Sequence, residues 1–440
     1  GGKKLSDLHC QFMRNPGQLR PIALTEGVEQ SEYCGLSIMR RFNFFRGVRT
    51  ISSASVFVLA VAGCSEDEPS ALWQVASIDQ PAGEKLIGVK TSRQVSLISE
   101  NEKGRAVVRE LDWDGGPLRM GQEVVVGPIL PWLSDDPADE SVLWWDSVYS
   151  KDRGKILRST FTERAGVGAL ETHELADFPP LGLAKARHGR NVAGVSGDRV
   201  DDRVVLQVSR DAGCTWSRPA PLADWRLGDE CDYQAAISAG RVAVLSVSHT
   251  DGNRTRRLRL YQGRLDAEGV AKESSEVDLG DWSLIGSPMA CLRINERGTY
   301  LALADPAVTV LQLGYDGSIT QRTEIEAETL PVGLELVIDG YGTVVAGWID
   351  ARHAKIRGAL GGWGIPRTDH RDVYVAVIEP GVVEVAAELL SEVGRRAKNL
   401  RLGVDASSCL AAWTSVPLDG EGKAIERSGQ LHVGRRMSHR

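Results

Sequence analysis

The chain has 440 residues, of which 42% are hydrophobic and 25% charged, and its formal net charge is −7. This length permits two or three domains with sizeable hydrophobic cores. Basic residues form no concentrated patch along this acidic chain, which argues against a nucleic-acid-binding face. We therefore predict no nucleic-acid partner, and nothing in the composition calls for a cofactor.

The amino-terminal region divides at Met39. Residues 1–38 precede this methionine, and we treat them as an upstream extension that is not part of the native product. Residues 39–63 begin with four arginines between positions 40 and 49, followed by an apolar segment, 51–62, that is too short to span a bilayer. This pattern predicts a secretion signal.

The predicted signal ends in Val61-Ala62-Gly63-Cys64, which resembles the lipobox of bacterial lipoproteins. The resemblance implies that Cys64 carries lipid and becomes the first residue after cleavage. A short buried helix, or a plain signal peptide with a chance cysteine, are the alternatives. Ser65 in place of Asp favours the outer membrane of a Gram-negative cell, and 64–71 would form a polar tether. No membrane helix is predicted after Cys64, so the lipid would hold the protein at the membrane.

Four cysteines follow the predicted anchor, at positions 214, 231, 291 and 409. Their spacing contains no CxxC ligand pair, so the sequence predicts no metal site. Export implies an oxidising compartment, in which Cys214 and Cys231 are candidates for a disulfide. Free buried thiols are the alternative.

An internal repeat runs through the exported part of the chain. Each copy has a short apolar strand, a turn rich in Gly, Asp or Asn, and a second apolar strand; clear copies lie at 290–304, 334–348 and 400–413, with a fourth at 235–247. A polar loop and a third, alternating strand come next. The predicted second strands begin near Gln94, Val142, Asn191, Val242, Thr299, Thr343 and Cys409.

This repeat predicts the architecture. Three or four short strands cannot bury both faces of their own sheet, so neighbouring units must stack face to face, and closing the stack into a ring covers the outermost faces. Helical periodicity is confined to 383–390. We therefore predict an all-β protein, a β-propeller of four-stranded antiparallel blades over residues 72–436, with seven blades favoured and six as the alternative.

One motif points to a particular group of propellers. The octapeptide 209–216, SRDAGCTW, resembles the Asp-box, S-x-D-x-G-x-T-W, of bacterial-neuraminidase-repeat proteins. It matches that motif at every defining position: Ser209, Asp211, Gly213, Thr215 and Trp216. The resemblance implies a fold-stabilising turn between the third and fourth strands of a blade. There the Asp would accept hydrogen bonds from turn amides, the Gly would supply a positive φ, and the Trp would insert between sheets.

Weaker likenesses occur elsewhere in the repeat. Degenerate turns at 265–269 and 313–317 keep the position of the box without its tryptophan. Trp348, Asp350 and Arg352, followed by 371–376, look like a pair of segments common in secreted sialidase-like repeat proteins.

Catalytic chemistry is not predicted. Sialidases of this fold hold the substrate carboxylate with three arginines, one of them in an R-I-P motif, and the exported part of this chain has no such motif. Its arginines, including Arg203 and Arg352, have no spacing that selects a triad. The acidic run 134–140 is predicted to be a solvated loop and not a calcium site. His353 and His370 are predicted to be exposed loop residues and not ligands of a metal. A sialidase-like glycoside hydrolase is kept as the alternative function.

A candidate binding rim follows the second strands. Trp145, Trp348 and Trp413 end equivalent second strands, where they could stack on sugars or grip a peptide beside Asp350 and Arg352. Packing between blades is the favoured alternative for the tryptophans. The sequence thus predicts a monomeric, lipid-anchored envelope protein that binds a glycan or an envelope protein through its loops.

Overall fold

The computed structural model describes 72–80, 84–91, 95–112, 119–127, 129–132, 141–146, 155–162, 166–167, 171–174, 183–198, 201–227, 231–249, 255–284, 290–305, 307–327, 329, 331–351, 356–357, 365–366, 369–382, 384–404, 408–426 and 428–437. These residues belong to one compact unit, Cys64–Arg440. The predicted signal peptide, Cys64 with its tether, and the acidic run 134–140 lie outside the described residues.

Strands and short turns make up this part of the chain, and none of the residues just given is helical. The strands are β1 (Gln74–Asp79), β2 (Lys85–Thr91), β3 (Val95–Glu100), β4 (Ala106–Asp112), β5 (Arg119–Gly127), β6 (Ile129–Trp132), β7 (Ser141–Asp146), β8 (Lys155–Thr162), β9 (Gly166–Val167), β10 (Glu171–Glu174), β11 (Ala184–His188), β12 (Asn191–Asp198), β13 (Arg203–Ser209), β14 (Ala220–Arg226), β15 (Cys231–Ile237), β16 (Arg241–His249), β17 (Arg256–Leu265), β18 (Ala271–Trp282), β19 (Ala290–Asn295), β20 (Gly298–Asp305), β21 (Ala307–Leu313), β22 (Ile319–Ile325), β23 (Val332–Ile338), β24 (Val344–Asp350), β25 (Ile356–Arg357), β26 (Ile365–Pro366), β27 (Asp372–Ile378), β28 (Glu388–Leu389), β29 (Arg395–Val404), β30 (Ser408–Pro417) and β31 (Gln430–Met437).

In the described residues these strands form seven larger antiparallel sheets, which we number in chain order. Sheet 1 is β2 to β5, sheet 3 is β11 to β14, sheet 4 is β15 to β18, and sheet 5 is β19 to β22. Sheet 2 has β6, β7, β8 and β10 in line, with β9 beside β8. Sheet 6 is β23, β24, β27 and β28, and the small hairpin β25–β26 is inserted in its second loop. Sheet 7 is β29, β30, β31 and β1.

In the six units whose second-strand side chains are described, the second strand is buried on both faces, and its residues alternate between two cores. In β24, Val344, Ala346 and Trp348 belong to the core shared with sheet 5, whereas Val345 and Ile349 belong to the core shared with sheet 7. This alternation follows from the two-residue period of a strand. Each large apolar side chain buried in this way contributes roughly 1.5–3 kcal/mol.

Every hydrophobic core lies between two successive sheets. Five such clusters occur in the described residues, between sheets 3 and 4, 4 and 5, 5 and 6, 6 and 7, and 7 and 1. Neighbouring sheets therefore shield each other from water, as the repeat predicts.

The ring is closed by strands from both ends of the described chain. The outermost strand of sheet 7 is β1, which pairs antiparallel with β31 from Gln74↔Arg435 to Asp79↔Gln430. Sheet 7 then packs against sheet 1, where Leu86 and Leu97 meet Leu410 and Val433. A sheet completed by strands from the two chain ends ties those ends together.

A recurring turn connects many of the strands. An Asp or Asn side chain accepts hydrogen bonds from the amides two and four residues later, and the residue three positions later is a glycine with positive φ. In the part of the chain that the structure describes, four turns of this kind begin at Asn101, Asp266, Asp339 and Asp419. The side chain satisfies amides that the short turn leaves unpaired, so the turn folds locally.

These observations confirm the all-β β-propeller. Each second strand begins within one residue of its predicted start. The helical periodicity of 383–390 is misleading, because its described residues form no helix and include β28. Leu389 and Leu390 instead pack into the cores on either side of sheet 6.

Candidate functional site

The two ends of each sheet differ in their connections. Turns between the first and second strands, and between the third and fourth, lie at one end, which we call the turn rim. Loops between the second and third strands, and the connections from sheet to sheet, lie at the opposite end, the loop rim. The residues predicted for binding follow the second strands and therefore belong to the loop rim.

The tryptophans of the predicted rim pack inside the protein. Trp348 is fully buried and stacks against Tyr374, with ring centroids 6.1 Å apart. Trp413 is 1% exposed and stacks on His432 at 5.1 Å. Neither ring can reach a ligand, so the prediction of a binding role for these two is wrong and the packing alternative describes them. The backbone of Trp145 lies in β7, between Leu130 and Ile156 of the adjacent strands.

Asp350 is also buried. It ends β24 directly opposite Asp372, the first residue of β27, and both residues have no exposed surface. The indole Nε1 of Trp348 lies 3.4 Å from Oδ2 of Asp350. Asp350 therefore belongs to a polar network beneath the loop and is not exposed to a partner. Arg352 and His353 lie outside the described residues.

His370 joins the same network. Its Nε2 lies 3.2 Å from Oδ1 of Asp372 and 2.9 Å from the amide N of Gly394. Ser391 donates to the same carboxylate oxygen at 3.2 Å and accepts from the amide of Val373 at 2.9 Å. His370 is 7% exposed, so the expectation of an exposed loop histidine is wrong. The network holds the chain segments at the base of the loop together.

Basic residues cluster where sheet 6 meets sheet 7. The backbone of Arg371 forms a parallel bridge with Arg396, through hydrogen bonds from its amide to Arg395 O at 3.1 Å and from the amide of Ala397 to its carbonyl at 2.9 Å. Burial, and then the charge of Arg396, lower the pKa of Arg371, while nearby aspartates oppose this shift. Arg371, Arg396 and Lys398 form what we call the basic patch.

The loop of sheet 7 is fastened beside this patch. Asp369 donates from its amide to Gly422 O at 2.8 Å and accepts from the amide of Ala424 at 3.0 Å. That second bond is the main cause that lowers the pKa of Asp369. Glu426, on the same loop, accepts from Arg396 at 3.2 Å and from Lys398. The loops of two sheets thus form one continuous surface.

The basic patch can form ion pairs with carboxylates of a partner. The Glu426 side chain is 54% exposed, and those of Arg396 and Lys398 are 39% and 33% exposed. Ion pairs this exposed are worth at most about 1 kcal/mol, so carboxylates of a partner can replace Glu426. This patch is not evident from the sequence, because its members come from two sheets. The available signal was the pair Arg395-Arg396 at the start of a strand, since the counterpart strands begin with Lys85, Cys231 or an apolar residue.

The turn at 209–216 lies at the turn rim, between the third and fourth strands of sheet 3. Asp211 accepts from the Thr215 amide at 2.8 Å and from its hydroxyl at 2.7 Å, and Ser209 donates to Asp211 at 2.8 Å. Burial alone would raise the pKa of Asp211, but the bonds from Thr215 and Ser209 outweigh it and lower that pKa. Gly213 has a φ of 92°, and Trp216 lies over Gly194 of the same sheet.

The candidate disulfide is not formed in the described residues. Cys214 lies in the turn between β13 and β14, at the turn rim. Cys231 is the first residue of β15, which begins at the loop rim and runs seven residues towards the turn rim. A strand of that length spans about 20 Å, far beyond the roughly 7 Å that a disulfide allows between Cα atoms. The prediction of this pair is therefore wrong.

No group of three or more His, Cys, Asp or Glu side chains in the described residues could hold a metal ion. Among the same residues no helix is long and apolar enough to cross a bilayer.

No protein-family model matches the chain, and no curated protein matches its sequence. Several solved structures are similar. The β-propeller domain of the Trilobed protease from Pyrococcus furiosus has 8% identity and a TM-score of 0.46, with 80% of this chain and 97% of that chain covered. Acylaminoacyl peptidase from Pyrococcus horikoshii has 9% identity and a TM-score of 0.46, with 76% and 49% covered. Hsv2 from Kluyveromyces lactis has 8% identity and a TM-score of 0.40, with 81% and 98% covered. The propeller assignment itself rests on the stacked sheets and their closure.

Proposed function

We propose that the protein is a lipid-anchored β-propeller of the cell envelope, in the outer membrane, that binds an acidic glycan or protein partner through the loop rim of sheets 6 and 7. The basic patch is the observation that carries the binding proposal. The backbones of Arg371, Arg396 and Lys398 are hydrogen-bonded to neighbouring strands, and among the described residues Glu426 alone forms ion pairs with the two exposed members. Rigid placement reduces the ordering cost of binding a partner.

A charge reversal tests this proposal. The double variant Arg396→Glu and Lys398→Glu should abolish capture of the partner in a glycan array and in a pull-down from an envelope fraction. Arg322→Glu is the matched control, because Arg322 also forms an exposed ion pair, with Glu324 on sheet 5. Equal capture by the patch variant and the control contradicts the assignment of the patch. If the unmodified protein captures nothing in either assay, the binding proposal is abandoned.

The anchor is tested separately at Cys64. We expect mass spectrometry of the mature amino terminus to find acyl chains on Cys64, and the variant Cys64→Ser to leave the membrane fraction. Several acyl chains hold a protein stably, whereas one does so only marginally. An unmodified mature terminus refutes the lipoprotein and with it the outer-membrane location.

The sialidase-like alternative gains no support from the basic patch. The patch contains two arginines, Arg371 and Arg396, and one lysine, whereas sialidases of this fold hold the substrate carboxylate with three arginines. A fluorogenic sialoside provides the direct assay, and turnover that is lost on changing an arginine would favour the alternative.

A further inference from the structure

A cavity lies at the turn rim, between sheets 4 and 5, at the opposite end of the sheets from the basic patch. Its volume is about 290 Å³, and its lining residues are Arg241, Gln262, Gly263, Arg264, Glu273 and Tyr315. Pockets for small ligands usually begin at about 300 Å³. The cavity is therefore of a size for a small molecule, and none of its residues belongs to the basic patch.

Arg241 is a buried cation with unused hydrogen-bond donors. It is the first residue of β16 and only 4% exposed, and its Nη1 donates to Asn295 O at 3.3 Å. Arg241 makes no ion pair with any described residue, and its other N–H groups have no protein acceptor there. A guanidinium carries five donors, and a buried charge without a partner is costly. Those donors face the open cavity.

The neighbouring interface shows what a purely structural arginine does. Arg210, between sheets 3 and 4, donates to Ala239 O at 2.7 Å, to Asn191 Oδ1 at 3.3 Å and to Asp266 O. It thus uses its donors on three protein oxygens to join two turn rims. Arg241 also lies at the turn rim, at the next interface, but it begins a second strand and donates to a single protein oxygen of the described residues. Joining the sheets therefore does not account for the donors of Arg241.

The guanidinium of Arg241 is fixed in orientation. Its carbon lies 3.9 Å from the ring centroid of Tyr315, a distance at which a cation and an aromatic face attract. The hydroxyl of Tyr315 donates to Glu296 O, which holds the ring in place. The side chain of Gln262 is held by Gly314 O at 3.2 Å and by the hydroxyl of Thr299. The cavity is thus preorganised before any ligand arrives.

The charges around the cavity select the ligand. In the lining, Arg241 and Arg264 contribute two positive charges and Glu273 one negative charge, and the nearby carboxylate of Glu296 also acts on Arg241. Arg264 and Glu273 form an exposed pair at 3.2 Å, with side chains 67% and 71% exposed, so Arg264 can turn to a ligand at little cost. Glu273 repels a doubly charged phosphate more than a singly charged carboxylate.

We propose that this cavity binds a small molecule carrying one carboxylate, which Arg241 holds through two parallel N–H···O bonds. Planar guanidinium and carboxylate groups fit each other in this bidentate geometry. The carboxylate belongs to an acidic sugar or to a peptide terminus, and the two sources share this chemistry. Because the cavity and the basic patch lie at opposite rims, either proposal can fail without the other.

Calorimetric titration of the full protein tests the site. The probes are sodium glucuronate against glucose, and N-acetylalanine against its amide. At least one of the two carboxylates should bind while its uncharged counterpart does not. The carboxylate that binds shows whether the ligand is an acidic sugar or a peptide terminus. Binding should weaken with added salt. Failure of both carboxylates, equal binding of the uncharged probes, or tighter binding of inorganic phosphate overturns the proposal.

Two variants assign the site to its residues. Arg241→Lys keeps the charge but loses the bidentate fork, so affinity should fall about tenfold. Glu273 lies on the surface, and the variant Glu273→Gln should raise the affinity for the carboxylate about two- to fivefold. Glu324→Gln removes the same charge away from the cavity and should change nothing. If Arg241→Lys does not fold, Glu273→Gln decides, because unchanged or weaker binding by that variant contradicts the site.

Discussion

Arg401 donates from Nη1 to Oε1 of Glu335 at 2.7 Å, which joins the first strand of sheet 7 to that of sheet 6. The same guanidinium donates through Nε to Ile87 O at 3.0 Å, in sheet 1. One side chain therefore connects three consecutive sheets where the ring closes. Glu335 is 17% exposed and Arg401 30% exposed, so water competes only partly with these bonds.

Removing Arg401 should weaken ring closure. We expect Arg401→Met to lower the free energy of unfolding by about 1–3 kcal/mol, because Glu335 and Ile87 O lose a charged donor. Urea unfolding followed by tryptophan fluorescence measures this change. Arg322→Met, which removes an exposed ion pair, should stay within about 0.5 kcal/mol of the wild type. Equal effects of the two variants would show that Arg401 contributes no more than a surface residue.

His432 should make stability depend on pH in a defined window. Burial and then the nearby charge of Arg395 lower its pKa from 6.5 to about 4. Between these values the unfolded chain binds a proton that the folded protein does not, so stability falls as pH decreases from about 6.5 to 4. The slope from this one group is at most about 1.4 kcal/mol per pH unit.

The variant His432→Gln tests this assignment. Glutamine can still reach the hydroxyl of Ser415, which lies 2.7 Å from His432 Nε2, but it does not titrate. Unfolding midpoints measured from pH 7 to pH 4 should therefore decline less steeply in the variant. His249→Gln is the control, since His249 is only partly buried at the end of β16. An unchanged pH slope in His432→Gln would assign the dependence to other groups.

Two glycines with similar backbone angles should respond differently to alanine. Gly317 has a φ of 81°, and a Cβ there would lie 1.9 Å from Val277 Cγ2 in sheet 4; Gly381 has a φ of 84° and open space around it. Both substitutions cost the left-handed penalty of roughly 1–2 kcal/mol. Gly317→Ala adds a steric clash at the interface of two sheets. Thermal unfolding should rank it clearly below Gly381→Ala, and the reverse order would contradict the packing at this interface.

The repeated strands were predictable because their signal is local. The mostly apolar strand Val344–Asp350 and the Asp339 turn that precedes it are both encoded within a few residues, and similar strands recur along the chain. The burial of Trp348 and Asp350 was not predictable from the sequence. A second strand is covered on both faces, so it carries no alternation of polar and apolar residues that would show which of its side chains are exposed to water. Membership of the basic patch depends on how sheet 6 meets sheet 7, which the spacing of Arg371 and Arg396 does not reveal. The prediction that Cys214 pairs with Cys231 was wrong, because two cysteines that are close in the sequence can lie at opposite rims.

The turn at 209–216 should stabilise sheet 3 through Asp211. Its lowered pKa means that this contribution is present above the ordinary value of 3.8 and is lost as pH falls through the lower value of the folded protein. Asp211→Asn should reduce the free energy of unfolding by about 1 kcal/mol at pH 7, since one carboxylate oxygen no longer accepts from the Thr215 hydroxyl. The acid limb below pH 4 should also flatten, which separates this group from His432 at higher pH.

Asp316→Asn is the matched control for this turn. Asp316 lies in the corresponding turn of sheet 5, and its acceptors are used, among the described residues, by the amide and hydroxyl of Ser318 alone, at 3.0 and 2.6 Å. Because both of these bonds come from one residue two positions away, they fix a shorter stretch of chain than those from Ser209 and Thr215. Urea titrations at pH 7 and pH 3 should therefore show a smaller loss for Asp316→Asn than for Asp211→Asn. Equal losses would mean that the bonds to Thr215 do not set the stability of the turn in sheet 3.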